Sequence, residues 1–182
     1  GEFLEKINQD YGFSIEFMQY NVAEPLPDEL RGKFDVFSSE PLETLSGLRA
    51  FIGRGTACLK EYGSGYFGLT HYEASLKKWL AIQKLLSRMN CAITDIIQGF
   101  SAYPMNYGDV SYETFVSHLG FDAGENPGVN WYKSALFRFE VLGKPKLVID
   151  PDKRIPVKSI DMKEDITHPT LYRSLIRRLN SR

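Results

Sequence analysis

Residues 33–48 read "KFDVFSSEPLETLSGL". Phe34 to Phe37 has the makings of a buried strand, and Ser38, Ser39 and Pro41 mark the turn that ends it. Leu45, Leu48, Ile52 and Leu59, with Phe51 alongside, then predict a helix over roughly residues 44–61. A strand that runs through a short turn into a helix is the unit from which parallel α/β sheets are built. Two carboxylates, Glu40 and Glu43, flank Pro41 where the strand's carboxyl end meets the helix. One reading makes Glu40 a solvated turn residue and Glu43 a helix-start residue favoured by the dipole. The other makes them holders of a cationic or amino ligand, because ligands of such sheets bind off the carboxyl ends of the strands.

Working outward, "EFLEKINQDYG" carries Phe3, Leu4 and Ile7 on one helical face and stops at Gly12. "FSIEFMQYN" alternates Phe13, Ile15 and Phe17 as a strand does. Gly63 is expected to end the 44–61 helix, whose internal glycines suit close packing on a sheet, and "SGYFGLT" follows as a short strand. In the next helix Thr70 and Glu73 fit a capping box, and Leu76, Trp79, Leu80 and Leu86 recur at helical spacing. "CAITDII" reads as a strand, residues 98–128 as irregular, and "NWYKSALFRFEVLG" as a long last strand, antiparallel at an edge. From Lys144 onward, proline and charge without periodicity predict an extended tail with a short basic helix, "HPTLYRSLIRRL". The predicted fold class is therefore α/β, a mostly parallel sheet with an antiparallel last strand. Residues 1–143 form the domain and residues 144–182 the tail.

Composition narrows the function classes. With 182 residues, 43% of them hydrophobic, the chain can bury a real core. A net charge of −1 supplies no global basic field for nucleic acid or anionic lipid. No apolar run approaches the ~20 residues that span a bilayer. Cys58 and Cys91 lie on different elements and histidine is scarce, which argues against a Cys/His metal site and fits a reducing cytoplasm. The glycines of "GRGTACLK" do not follow a strand, and those of "GSGYFG" do not open a helix, so neither is a phosphate cradle.

Four segments in order, "FDVFSSEPLETLSGLRAFIGRG", "GYFGLTHYEASLKKWLAIQKLL", "ITDII" and "NWYKSALFRFE", resemble the branched-chain polyamine synthases of thermophilic archaea and bacteria. The resemblance runs from about residue 3 to residue 142. It implies a class I methyltransferase-like Rossmann domain. It also implies aminopropyl transfer from decarboxylated S-adenosylmethionine, as co-substrate, to spermidine-type polyamines, with no metal. Family members carry an N-terminal winged-helix-like domain and a Gly-Asp-Asp-Asp turn after the first strand, and these are not in the present sequence. The resemblance therefore implies the C-terminal part of such a domain, either as a fragment or as a reduced homologue, with a homodimer as one way to complete the sheet. An S-adenosylmethionine-dependent methyltransferase and a non-catalytic divergent homologue are the alternatives on the same fold.

Residue by residue, the family's Asp-Pro-Pro-Glu-Thr corresponds here to Glu40-Pro41-Leu42-Glu43-Thr44. The resemblance gives Glu40 and Glu43 catalytic roles and Asn21, Glu40 and Pro41 contact with the sulfonium donor; Glu43, Asp95, Trp131 and Tyr132 are the residues whose charge and aromatic faces are expected to contact the polyamine. Each has a plainer reading. Asn21 suits an Asx turn. Asp95, in an apolar strand, suits a partner for an arginine. Trp131 and Tyr132 suit a strand core as well as the cation–π wall of an alkylammonium site. His71 and His118 have no partner at metal spacing.

Overall fold

The structure is a computed structural model and describes residues 1–70, 74–103 and 133–159. The elements are α1 (Glu2–Tyr11), a 3-10 turn (Asp28–Leu30), β1 (Phe34–Ser39), α2 (Leu45–Cys58), β2 (Leu59–Thr70), α3 (Leu76–Arg88), β3 (Cys91–Ala102) and β4 (Lys133–Val141). The four strands form one sheet in the order β1-β2-β4-β3. β1 and β2 are parallel, and β4 runs antiparallel to both β2 and β3. β1, β2 and β3 therefore share one direction, and their carboxyl ends open on one edge together with the start of β4. The expected antiparallel last strand is present but is not at an edge. The α3 crossover leaves a gap one strand wide, and β4 fills it.

Burial explains the layering. Phe67, Leu69, Ala135, Phe137, Phe139 and Val141 are all at most 3% exposed and alternate along β2 and β4. They therefore share one face, which α2 and α3 cover. Phe67 and Phe137 stack at 4.9 Å, and Trp79 of α3 meets Phe137 edge-on, also at 4.9 Å. α2 seats just as closely: a Cβ on Gly55 would lie 2.1 Å from the Phe37 ring. The predicted close-packing role of the helix glycines holds there. Cys91 lies in the same core, and burial pushes its thiol up to about 12, so it carries no thiolate at neutral pH. No described helix is long and apolar enough to cross a membrane.

Several expectations are corrected. Residues 13–20 form no strand, and Phe13 and Phe17 are 58% and 61% exposed. An alternating pattern becomes a strand only where a neighbour offers hydrogen bonds, and no described strand lies beside it. β2 begins at Leu59, directly after α2, and Gly63 lies inside it. The offset between the Phe34–Leu59 and Val36–Ser64 pairs leaves extra β2 residues bulged, with Tyr62 at φ 60°. α3 begins at Leu76, capped by Ser75 rather than Thr70, which ends β2. Glu73 lies outside the described residues, as do the short helix expected at 112–119, the basic helix near the C-terminus, and both His71 and His118. β3 continues to Ala102 through a bulge at Gly99 (φ 63°), where an irregular segment was expected.

Residues 144–159 follow the core as an extended segment. Buried Arg54 donates to the Asp150 and Lys153 carbonyls at 3.0 and 2.6 Å. The Thr44 hydroxyl, which caps α2 by accepting from Gly47 N–H at 3.0 Å, donates to the Lys158 carbonyl at 2.8 Å. The far end of this segment thus steadies the turn that carries Glu40 and Glu43.

Candidate active site

Glu40 follows β1 on the face of the sheet away from the helices. Register places it beside Gly68, one step past the Ser39–Phe67 pair. A Cβ on Gly68 would lie 2.3 Å from Glu40 Oε2 and 2.6 Å from Oε1, so the carboxylate rests on the glycine backbone. Tyr103, the residue after β3, donates its hydroxyl to Glu40 Oε2 at 2.7 Å and lies 3.5 Å from Ser134 Oγ. Glu40 Oε1 has no hydrogen-bond partner among the described residues. Beside it, Glu43 Oε1 accepts from Thr70 N–H at 2.8 Å and Oε2 from the Thr70 hydroxyl at 3.3 Å. Thr70 pairs with Ser134 across the ladder. Buried Pro41 fixes the step between the two carboxylates.

The electrostatics agree with this geometry. Burial raises the Tyr103 phenol first, and the Glu40 hydrogen bond and the charges of Glu40 and Glu43 raise it further, against a lowering hydrogen bond from Ser134. Tyr103 is thus a neutral donor at any ordinary pH. The arrangement is one anionic corner with an open carboxylate oxygen, a phenol, and a second carboxylate that holds the β2 terminus. It can accept a proton or hold a cation.

Other expected site residues lie elsewhere. Asp95 is on the same sheet face, but on β3, the opposite edge strand, roughly 14 Å from β1 at the usual strand spacing. It pairs with Arg138 at 3.6 Å, and Arg138 binds Glu140 more closely, at 2.6 Å, and lies 5.9 Å over the Tyr66 ring. Asp95 thus has the arginine partner that one of its two readings expects. Asn21 accepts from Ala23 N–H at 3.0 Å, which is an Asx turn, and it borders a recess of about 400 Å³ with Phe37, Phe51 and Arg54 on the helix-covered side. The structure does not bring Asn21 to Glu40. Trp131 and Tyr132 lie outside the described residues.

Sequence reasoning missed Tyr103, Ser134 and Gly68. The usable signal was Gly99: a glycine after an apolar strand run often marks a bulge rather than an end. Reading it so would have carried β3 on to Tyr103. A side chain added at Gly68 tests this corner cheaply. The carboxylate is the far end of a flexible chain and can move, so Gly68→Ala should leave the melting temperature nearly unchanged while displacing Glu40. The expected result is a Glu40 carboxylate moved off Gly68 and away from the Tyr103 hydroxyl, read in a crystal structure of the variant beside a thermal melt.

A mixed sheet of this order, with acidic side chains gathered off its carboxyl ends, places the chain among proteins of the class I methyltransferase-like fold. The family model described as the branched-chain polyamine synthase A C-terminal domain matches residues 2–165, and the chain belongs to that family. It is 44% identical over 144 residues to the N(4)-bis(aminopropyl)spermidine synthase of Thermococcus kodakarensis, a match covering 78% of this chain and 40% of that protein. The synthase of the same name from Methanocaldococcus jannaschii is 38% identical over 143 residues, covering 77% and 40%. Among solved structures, the branched-chain polyamine synthase from Thermus thermophilus, in complex with N4-aminopropylspermidine and 5'-methylthioadenosine, matches with a TM-score of 0.74 and 34% identity. That match covers 88% of this chain and 45% of the other. The chain thus spans about 40% of the length of these curated relatives.

Proposed function

We propose that this chain is the acceptor-side part of a cytoplasmic aminopropyltransferase that builds branched polyamines. In this reading residues 1–143 are the C-terminal part of its Rossmann-like domain and residues 144–182 its tail. The observation that carries it is the Glu40 carboxylate lying over Gly68 with one oxygen open, in a chain whose relatives include N(4)-bis(aminopropyl)spermidine synthases. The donor is decarboxylated S-adenosylmethionine and the acceptor is the secondary amine of a spermidine-type chain.

The step balances as follows. The amine nitrogen attacks the aminopropyl carbon bound to sulfur, the C–S bond breaks, and its electron pair leaves with neutral 5'-methylthioadenosine. The nitrogen gains a C–N bond and gives up a proton. A protonated amine has no lone pair to attack with, so a fixed acceptor that receives the N–H and aims the nitrogen accelerates the step by alignment and general-base action together. Glu40 Oε1 suits that role. Glu43, held on Thr70, keeps the corner anionic for the acceptor's remaining ammonium groups. Phe34 and Val36 on β1, 44% and 58% exposed, flank an edge that pairs with no other described strand on that side. The preceding strands of the intact domain belong there, and a homodimer completing the sheet is the other arrangement this reading admits.

The test supplies the intact protein with decarboxylated S-adenosylmethionine and spermidine. Release of 5'-methylthioadenosine with a branched product is expected. Methyl transfer from S-adenosylmethionine without that release would overturn the proposal, as would inactivity with both donors.

A further inference from the structure

We propose that Tyr103 is the positioning residue that decides which oxygen of Glu40 meets the acceptor amine; this inference rests on the aminopropyl-transfer reading above. The sheet order makes the contact unusual. β3 and β1 are the two edge strands, with β2 and β4 between them. Tyr103 leaves the end of β3, yet its hydroxyl reaches Glu40 at the end of β1, 2.7 Å away. Two features make that reach feasible. Ser101 pairs with Ser134, and Ser134 with Thr70, so the middle of this edge is a row of small side chains. Gly68 leaves the place of a Cβ to the Glu40 carboxylate itself. The phenol spans the row, passes 3.5 Å from Ser134 Oγ, and engages Oε2.

The consequence is directional. A free glutamate at the end of a strand rotates about its terminal torsion and offers either oxygen. Here Oε2 is occupied by a neutral phenol, and both oxygens lie against the Gly68 backbone position, so Oε1 alone stays available in a fixed direction. Tyr103 neither touches the reacting atoms nor takes the proton. It acts through Glu40, by reducing the carboxylate's orientations to the productive one. The phenol's raised ionisation range keeps it a donor throughout turnover.

The test is a double-mutant cycle in the intact enzyme with decarboxylated S-adenosylmethionine and spermidine. Loss of one hydrogen bond to a charged group corresponds to about a 10- to 100-fold fall in rate. Tyr103→Phe should lower kcat by that factor and leave spermidine KM and 5'-methylthioadenosine affinity nearly unchanged. In the Glu40→Gln background the same change should do almost nothing, because the group it positions is gone. Equal losses in both backgrounds would mean that Tyr103 supports the fold and not Glu40, and would overturn the proposal. So would full turnover in Tyr103→Phe while Glu40→Gln is impaired, a result that leaves the function reading standing. Full turnover in Glu40→Gln overturns the proton-acceptor role of Glu40 and this proposal with it, while aminopropyl transfer itself stands. Ser134→Ala, which leaves the Tyr103–Glu40 bond in place, should retain most of the activity, and a loss as large as that of Tyr103→Phe would contradict the assignment.

Discussion

In the intact enzyme, Glu40→Gln should lower kcat by about 10²- to 10⁴-fold, the usual contribution of a positioned general base, while affinity for 5'-methylthioadenosine stays close to that of the unmodified protein. The amide keeps the length and planarity of the side chain and can still accept the Tyr103 hydrogen bond through its oxygen. What it loses is the ability to take a proton. The Oε1 position becomes an amide N–H₂ donor or a weaker acceptor, and in the first case it opposes an incoming ammonium. Steady-state kinetics and product-binding calorimetry together separate these effects. A fall in product affinity as large as the fall in kcat would mean that Glu40 serves binding and not proton removal.

The largest effect on stability is expected at Phe137. It is 1% exposed, stacks on Phe67 at 4.9 Å and takes the edge of Trp79 at 4.9 Å. Phe137→Ala removes the side chain on which two layers meet, and the sheet-bound neighbours cannot collapse into the void. The expected loss is about 3–5 kcal/mol, a large part of the roughly 5–15 kcal/mol that holds a typical domain together. Urea unfolding should show it as a lower midpoint with little change in slope. A loss under about 1 kcal/mol, the scale of an exposed side chain rather than a core one, would contradict this account of the core.

The fold and the site were legible to different depths. Phe34–Phe37 followed by Leu45, Leu48 and Ile52 announced β1 and α2, because strand and helix periods are written in apolar spacing. Glu40 and Glu43 stood out because ligands of such sheets bind off the strands' carboxyl ends, although Glu43 also holds Thr70 at the end of β2. Strand neighbours are not written in that way. Nothing in "NWYKSALFRFE" says that β4 enters between β2 and β3, and nothing in "FSIEFMQY" says that no described strand lies beside it. Tyr103 illustrates the same limit. It looked like a loop residue because Gly99 hid the continuation of β3, and its contact with Glu40, 63 residues earlier, exists only through the order of the sheet. Asp95 shows the converse. A lone acid in an apolar strand reads equally as a ligand and as an ion-pair partner, and only the register shows Arg138 opposite it.

The central claim is that the open oxygen of Glu40 receives the acceptor amine. A crystal structure of the intact enzyme with spermidine and 5'-methylthioadenosine tests it most directly. The account predicts the secondary amine nitrogen within about 2.6–3.2 Å of Glu40 Oε1, with Tyr103 still bonded to Oε2. Spermidine lying instead along Asp95 and Arg138, with Glu40 turned to solvent, would contradict it.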